Sequence, residues 1–317
     1  MVRTPIAGPG TPPGTAPWYA VKAVGFWPFG RRLGKTVAMS RRALVLGAGG
    51  EAGIAWEVGL LAGLAERGTD LTAADLVIGT SAGAGVAAAI NSGVSLAALY
   101  ETQLAPVDGE IAARFGPWTM AKFLWAVAPA RRNPVRARIR LGRMAVRSRT
   151  EPAAARRAVI ATRLGTHDWP AGNLLLTAVD ADTGELVTFD SSSGVDLVDA
   201  VGASCAVPGV WPPVTIDGRR LMDGGMRSPA NADLAAGYDR VVVVAPITQG
   251  LRPMPSPLDQ ATELARSCQA VGLVTPDAAA VAAFGRNLLD PGCRAPSARA
   301  GHAQAATVLA DVAAVWG

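Results

Sequence analysis

The chain has 317 residues, of which half are hydrophobic and 17% are charged. This length and composition suit one large α/β domain, or one domain with a small lid, around a substantial core, and they argue against a disordered chain. The net charge of +5 comes without an aromatic-interleaved basic patch or zinc-ligand spacing. We therefore expect an anionic membrane surface or a phosphate-bearing substrate as the partner, and no nucleic acid.

Residues 1–40 differ in composition from the rest of the chain. A Pro/Gly-rich stretch over 5–17 and an aromatic-rich stretch over 18–29 precede Met39 and the first clear strand. We predict a disordered or non-native leader here and a folded domain over 41–317. An alternative interpretation is an interfacial anchor, because Trp and Phe favour the headgroup zone of a membrane.

Two strand–glycine turn–helix units open the predicted domain. The first leads from the strand Arg42–Leu46 to a helix over 54–67, and the second leads from a strand over 76–78 to a helix over 84–90. Successive units of this kind predict parallel strands joined by crossover helices. We therefore expect a three-layer α/β/α sandwich with a mostly parallel central sheet.

A long segment over 96–163 has helical periodicity and no good strand, which predicts a helical insertion. Arginines recur within it between Arg131 and Arg157, and they indicate either a solvated helix face or a docking surface for anionic lipid. After the insertion we predict strands at 173–179, 186–189, 214–216, 220–222 and 240–244, a helix at 196–205, and a largely helical remainder.

The sequence Gly79-Thr80-Ser81-Ala82-Gly83 lies between a buried strand and a helix. A nucleophilic serine must project from a tight turn, and the glycines on either side, Gly79 and Gly83, leave room for it. The helix that follows points its amino-terminal N–H groups at the same place, which favours developing negative charge. Ser81 is therefore the candidate nucleophile.

A second glycine turn, from Gly47 to Gly53, precedes this motif by about thirty residues. Its small residues would let backbone N–H groups approach the oxyanion of a tetrahedral intermediate. The same stretch also fits a dinucleotide fingerprint, Gly47-x-Gly49-x-x-Ala52, with Asp70 some twenty residues later. Asp70 follows the helix rather than the second strand, which argues against a dinucleotide site. A dinucleotide-binding protein is therefore kept only as an alternative.

A third motif, Asp223-Gly224-Gly225, follows a short strand. A carboxylate beside two glycines can approach a serine hydroxyl and accept its proton. Asp-Gly is also the strongest short signal of a hairpin turn, and the spacing alone favours that interpretation over a catalytic one.

Histidines and cysteines are few. His167 lies in a polar loop and His302 near the carboxyl end, so we expect a Ser-Asp dyad rather than a triad with histidine. The three cysteines have unrelated spacings, which argues against disulfides and predicts a cytoplasmic protein, with peripheral membrane contact as a further expectation. His/Cys clusters and acidic calcium loops are missing from the sequence, so we expect no metal and no cofactor.

Together these motifs resemble the patatin-like phospholipase family of lipid acyl hydrolases, over about 42–244. The matching segments are Gly47-Ala48-Gly49-Gly50-Glu51-Ala52-Gly53, Gly79-Thr80-Ser81-Ala82-Gly83, Ala203-Ser204-Cys205-Ala206-Val207-Pro208-Gly209-Val210-Trp211-Pro212-Pro213 and Asp223-Gly224-Gly225. The resemblance implies a serine esterase that cleaves fatty-acyl esters of lipids, with Ser81 as nucleophile and Asp223 as proton acceptor.

Two positions depart from the family pattern. Ala48 stands where the family usually has a glycine, and Ala52 stands where it usually has Lys or Arg. Because a backbone N–H survives any such change, we expect Gly49 and Gly50 to be the oxyanion donors. The lost cation could weaken catalysis, which leaves a catalytically weak lipid-binding protein as a second alternative.

Overall fold

The computed structural model describes residues 26–29, 40–106, 113, 116–130 and 132–317. Nine strands of the described residues form one sheet. The strands are β1 (Phe26–Phe29), β2 (Arg42–Leu46), β3 (Leu76–Thr80), β4 (Leu174–Asp180), β5 (Leu186–Phe189), β6 (Val214–Ile216), β7 (Arg219–Asp223), β8 (Arg240–Val244) and β9 (Ala270–Val274). The helices are α1 (Gly50–Glu66), α2 (Ala82–Asn91), α3 (Leu96–Leu104), α4 (Pro117–Val127), α5 (Pro134–Arg147), α6 (Ala153–Leu164), α7 (Leu197–Ser204), α8 (Pro257–Leu264), α9 (Ala278–Phe284) and α10 (Arg294–Trp316).

The sheet has the order β1-β9-β8-β2-β3-β4-β7-β6, and β5 also pairs with β4. The five central strands, from β9 to β4, run parallel to one another. The remaining strands join them antiparallel at the two sides. The predicted parallel centre of an α/β sandwich is thereby confirmed.

Both faces of the central strands are buried. In β2, Leu44 and Leu46 belong to the core that includes α1, α2 and α10, whereas Ala43 and Val45 belong to the core that includes α8. Successive side chains of a strand point to opposite faces, so the layers on both sides explain why this strand is hydrophobic throughout. The result is the expected three-layer arrangement.

Helices α3 to α6 lie between α2 and β4, where the sequence predicted a helical insertion over 96–163. The described residues of this segment contain no strand. A third core packs α4 and α5 against the sheet residues Val179 and Met222. The insertion therefore packs against the sheet through a separate hydrophobic cluster.

The sequence analysis missed two strands. The remainder after β8 was predicted to be largely helical, yet Ala270–Val274 forms β9 and pairs in parallel with β8. A five-residue apolar run cannot be told from a buried helix segment by periodicity, and only its neighbours in space settle its state.

The other missed strand, β1, lies within the predicted leader. Phe26–Phe29 pairs antiparallel with β9, and a Cβ at Gly272 would lie 2.9 Å from the Phe26 ring. These four residues are therefore part of the sheet. Residues 1–25 and 30–39 of the predicted leader lie outside the described residues.

Among the residues that the structure describes, every helix falls short of the length and apolar character needed to cross a bilayer.

Helices α1 and α10 are in close backbone contact through glycines. A Cβ at Gly59 would lie 2.9 Å from the carbonyl carbon of Ala298. We expect Gly59→Ala to lower the free energy of unfolding by about 1–3 kcal/mol, because the two helices must move apart. The matched control is Gly85→Ala in α2, where a Cβ meets nothing within 4 Å.

Gly85→Ala should leave stability unchanged or raise it by up to about 1 kcal/mol, since alanine favours a helix over glycine. Urea unfolding of both variants measures the difference. If Gly59→Ala proved as stable as the wild type, the close approach of α1 and α10 would not constrain the fold.

Candidate active site

The ends of β3 and β7 meet on β4. Thr80, the last residue of β3, lies opposite Thr177 in parallel register, and Asp223, the last residue of β7, lies opposite Ala178 in antiparallel register. Because the two strands run in opposite senses along β4, their carboxyl ends face each other. The Ser81 hydroxyl, one residue after β3, consequently donates a 2.6 Å hydrogen bond to Asp223 Oδ2.

The backbone of Ser81 is strained. Its φ of 54° and ψ of −116° lie in a region that non-glycine residues rarely adopt, at a cost on the order of 1–3 kcal/mol. The Ser81 N–H donates to Ser204 Oγ at 2.9 Å, and the Ser81 carbonyl accepts from Cys205 Sγ at 3.2 Å. Hydrogen bonds from the end of α7 thus hold the backbone of the turn from which the Ser81 side chain projects.

The two glycines beside Ser81 are required by close approach. A Cβ at Gly79 would lie 2.6 Å from the Cα of Ala84, and a Cβ at Gly83 would collide with the carbonyl of Leu46. These contacts let β2, β3 and α2 converge at the turn. A side chain at either position would collide with neighbouring backbone, as the sequence analysis expected for the residues that flank a nucleophilic serine.

The glycine loop lies beside Ser81, and most of its amides have protein acceptors. Gly47 donates to Val244 O at 3.0 Å, and Ala48 donates to Pro229 O at 2.7 Å. Further along, Ala52 and Gly53 donate to carbonyl oxygens as well. No acceptor among the described residues is found for the amides of Gly49 and Gly50, and both residues line the same cavity as Ser81.

Gly50 begins α1 and has a φ of +62°. Because α1 and α2 begin at Gly50 and Ala82 respectively, the amino ends of two helices are placed at the site. Each carries partial positive charge and suits an oxyanion.

The Asp223 carboxylate is dry and firmly placed. Its Oδ1 accepts from the N–H of Gly225 at 2.7 Å, and 2% of the residue is exposed. Burial raises the pKa of Asp223 to about 7, although the hydrogen bonds from Ser81 and Gly225 act in the opposite direction. A carboxylate with this pKa can both hold and release a proton near neutral pH.

A buried amide supports the turn after Asp223. Asn231 Nδ2 donates to Gly224 O at 3.2 Å and to Thr80 Oγ1 at 3.1 Å. Thr80 Oγ1 in turn lies 2.9 Å from Thr177 Oγ1. One side chain thereby ties the turn after β7 to the end of β3.

A cavity of about 810 Å³ opens onto the Ser81–Asp223 pair. Its lining includes the apolar side chains Ile54, Val86, Phe123, Leu141, Ile160 and Trp211. Two arginines of α6 also line it. The Arg163 guanidinium pairs with Glu51 at 2.6 Å, and the Arg156 guanidinium lies 4.0 Å from the centre of the Trp211 ring.

Neither histidine of the chain is near this pair. His302 stacks on Tyr100 and its Nε2 lies 2.8 Å from Glu66 Oε2. Glu66 ends α1, whereas the glycine loop is at the beginning of α1, about 25 Å away along a 17-residue helix. His167 is exposed in a loop.

The same distance argues against the dinucleotide alternative. Asp70 follows the carboxyl end of α1, and its Oδ1 accepts from the N–H and hydroxyl of Thr72. A ribose bound at the glycine loop would be out of its reach. Within the described ranges, no group of three His, Cys, Asp or Glu side chains is placed to hold a metal ion.

The sequence analysis did not assign three side chains that support the site. Ser204 and Asn231 hold the two turns, and Glu57 Oε1 accepts from the N–H of Gly47 at 2.9 Å. Burial raises the pKa of Glu57 well above its usual range, although the hydrogen bond from the Gly47 N–H acts in the opposite direction. A carboxylic acid within the apolar face of α1 was a sequence signal that could have drawn attention to Glu57.

The raised pKa of Asp223 has a consequence for stability. An aspartate in an unfolded chain has a pKa of about 3.9, so the folded protein binds this proton more tightly. The stabilisation by the bound proton is complete below about pH 4 and is lost as the pH rises through about 7. We expect the unfolding free energy of the wild type to fall over this range relative to that of Asp223→Asn.

Urea unfolding of the two proteins at a series of pH values measures this difference. Glu57 titrates in both proteins and cancels from the comparison. Parallel stability curves for the wild type and Asp223→Asn would contradict the raised pKa.

Three solved structures that resemble this chain are 14%, 16% and 19% identical to it in sequence. VipD from Legionella pneumophila has a TM-score of 0.45 at 14% identity, covering 89% of this chain and 70% of that chain. The type III effector ExoU has a TM-score of 0.36 at 16% identity, covering 89% of this chain and 55% of that chain. A chain in the SpcU–ExoU complex from Pseudomonas aeruginosa has a TM-score of 0.34 at 19% identity, covering 96% of this chain and 60% of that chain.

This chain thus spans less than two thirds of the latter two structures. No curated protein matches it significantly in sequence. The model of the patatin-like phospholipase family matches residues 44–236, which is more than half of the 317 residues. The chain therefore belongs to the patatin-like phospholipase family, as its motifs predicted.

Proposed function

We propose that this chain is a carboxylic ester hydrolase that cleaves fatty-acyl esters of phospholipids or related lipids, with Ser81 as nucleophile and Asp223 as proton acceptor. The observation that carries the proposal is the 2.6 Å hydrogen bond from Ser81 Oγ to Asp223 Oδ2 inside an apolar cavity. A nucleophile hydrogen-bonded to its base is the arrangement that activates a serine.

The reaction would proceed in two steps. Ser81 Oγ attacks the ester carbonyl carbon while its proton passes to Asp223 Oδ2, and the proton then goes to the leaving alcohol as the C–O bond breaks. Water next attacks the acyl-serine and gives a proton to Asp223 Oδ2, and that proton returns to Ser81 Oγ as the bond between Oγ and the acyl carbon breaks and the fatty acid is released. A base with a pKa of about 7 can serve both steps near neutral pH.

The amides of Gly49 and Gly50 would stabilise the oxyanion in both steps. Two observations support these donors: both residues line the cavity that holds Ser81, and the amides of Gly47, Ala48, Ala52 and Gly53 are already bonded to protein carbonyls. Donors fixed by the fold need no reorganisation when charge develops on the substrate oxygen.

Lipid is the substrate class that suits the cavity. Its apolar lining can accept an acyl chain. Ala52 removes the cation that the family usually carries in the glycine loop, and Arg163 is paired with Glu51, but Arg156 supplies positive charge from the cavity wall. We infer that Arg156 favours an anionic group on the substrate.

Contact with a membrane belongs to the same proposal. Helix α4 exposes Trp118 (83%) and Trp125 (76%), and the neighbouring α5 carries arginines on its exposed side. Aromatic side chains favour the headgroup zone, and basic residues favour anionic lipid. A peripheral position on an anionic bilayer would deliver substrate to the cavity.

Active-site labelling with a fluorophosphonate tests the proposal. We expect the wild type and His302→Ala to label, Ser81→Ala to lose labelling, and Asp223→Asn to label at least about a hundredfold more slowly, because general base catalysis contributes that much. In-gel fluorescence against time gives the rates.

A wild type that binds lipid vesicles but never labels would instead support the catalytically weak lipid-binding protein, which the loss of a cation at Ala52 favours. Labelling that survives Ser81→Ala would place the nucleophile elsewhere. Loss of labelling in His302→Ala with a folded protein would contradict the dyad.

The pH dependence of hydrolysis is a separate prediction. Protonated Asp223 cannot accept the Ser81 proton, so kcat/KM for a soluble short-chain ester should rise as the pH increases through about 7 and then level off. Initial rates in buffers of constant ionic strength measure the profile. A rate that stays flat from about pH 5 to pH 8 would rule out a base with this pKa.

A further inference from the structure

A second cavity, of about 770 Å³, lies outside the Ser81–Asp223 site. We call it the basic cavity, and its charged and aromatic lining consists of Lys122, Trp125, Arg140, Arg143, Arg147 and Arg149. The described residues that line it include no acidic side chain. Five cations without a carboxylate around one concavity create a strongly positive local potential.

The cations converge because of helix geometry. Arg140, Arg143 and Arg147 are three and four residues apart on α5, so they project from one face, while Leu141 and Ala145 of the same helix are buried. Like charges at a spacing of four residues repel each other. An anion bound between Arg143 and Arg147 would remove that repulsion.

The basic side chains of this cavity differ in how firmly protein contacts hold them. Arg140 is fixed, since its Nε donates to Ala126 O at 2.6 Å and its guanidinium lies 5.7 Å from the centre of the Trp125 ring. Arg143 and Arg147 are exposed and have no ion pair with a described residue. Among the described residues, the cavity therefore combines one oriented guanidinium with two cations, Arg143 and Arg147, that are paired with no carboxylate.

The basic cavity shares its walls with the cavity of the proposed active site. On α4, Lys122 faces the basic cavity and Phe123 lines the other. On α5 the same division holds for Arg140 and Leu141. A ligand in the basic cavity would thus lie directly behind the wall against which an acyl chain packs.

We propose that the basic cavity is a second binding site, for a phospholipid headgroup that carries two or more phosphate groups. Several guanidinium groups around one concavity match clustered phosphates, because each can donate paired hydrogen bonds to phosphate oxygens. A headgroup with a single phosphate would leave most of the five cations without a partner.

A lipid, rather than a soluble phosphate ester, is the source that the surroundings favour. Trp125 lines the basic cavity and is 76% exposed, and Trp118 and Leu124 on the same helix are 83% and 52% exposed. Large apolar side chains beside a cationic cavity suit the interface between headgroups and acyl chains. The proposed lipid hydrolysis gives the site its context, but binding there needs neither Ser81 nor Asp223.

The test measures binding of the full chain carrying Ser81→Ala, so that lipid is not consumed and a failure of the proposed hydrolysis cannot alter the result. The probes are phosphatidylcholine vesicles with cardiolipin, whose headgroup has two phosphates, and vesicles with phosphatidylglycerol at the same phosphate charge. We expect at least about tenfold tighter binding to the cardiolipin vesicles.

A matched pair of double variants locates the effect. Arg143→Gln with Arg147→Gln should abolish the preference for cardiolipin, whereas Arg132→Gln with Arg136→Gln, which removes the same charge from exposed positions outside the basic cavity, should retain it. Circular dichroism and thermal melting check that all proteins fold.

Three outcomes would overturn the proposal. The first is equal binding of the parent protein to both kinds of vesicle, and the second is an equal loss in both double variants, which would mean diffuse charge attraction. The third is binding of inorganic pyrophosphate in calorimetry as tight as binding to cardiolipin vesicles, which would assign the basic cavity to a soluble phosphate.

Discussion

The proposed chemistry depends on the meeting of two strand ends on β4. One strand arrives parallel and the other antiparallel, and their last residues occupy neighbouring positions opposite Thr177 and Ala178. A slip of one residue in β7 would turn the Asp223 side chain to the other face of the sheet. The 2.6 Å contact with Ser81 therefore depends on the register of β3 and β7 against β4. The buried amide of Asn231 donates to Thr80 at the end of β3 and to Gly224 just after β7, and so links the two strand ends.

Two residues of the site are in energetically unfavourable states. Ser81 has an unfavourable backbone conformation, and Asp223 has lost its hydration, which is why its pKa rises to about 7. Neither would persist unless neighbouring structure fixed it. That structure is the close packing of glycine and alanine residues, in which α1 approaches α10 and α2 approaches β2 with backbones in contact. The small residues that dominate the composition thus permit a strained, dry site.

The sequence predicted those parts of the fold and site that leave a local pattern along the chain, and it missed those that are defined by contacts in space. The strands Arg42–Leu46, Leu186–Phe189 and Arg240–Val244 have the predicted bounds, because turn residues flank each apolar run. The motifs located Ser81 and Asp223 although 142 positions separate them. By contrast, β9 is defined by β8, and the role of Ser204 is defined by the Ser81 amide that it binds. Such contacts leave no periodic trace along the chain.

The arginines of the insertion show how a sequence pattern can be ambiguous until shape is known. Charges spaced along a helix normally indicate a solvated face, where water and salt screen each of them. Here Arg140, Arg143 and Arg147 share a concave wall with Lys122 and Arg149, and a concavity with low-dielectric walls focuses their field. The opposite side of the same two helices, at Phe123 and Leu141, lines the apolar cavity. Helices α4 and α5 therefore separate an apolar cavity from a cationic one. A phospholipid likewise has apolar acyl chains and an anionic headgroup, so the two cavities match its two parts.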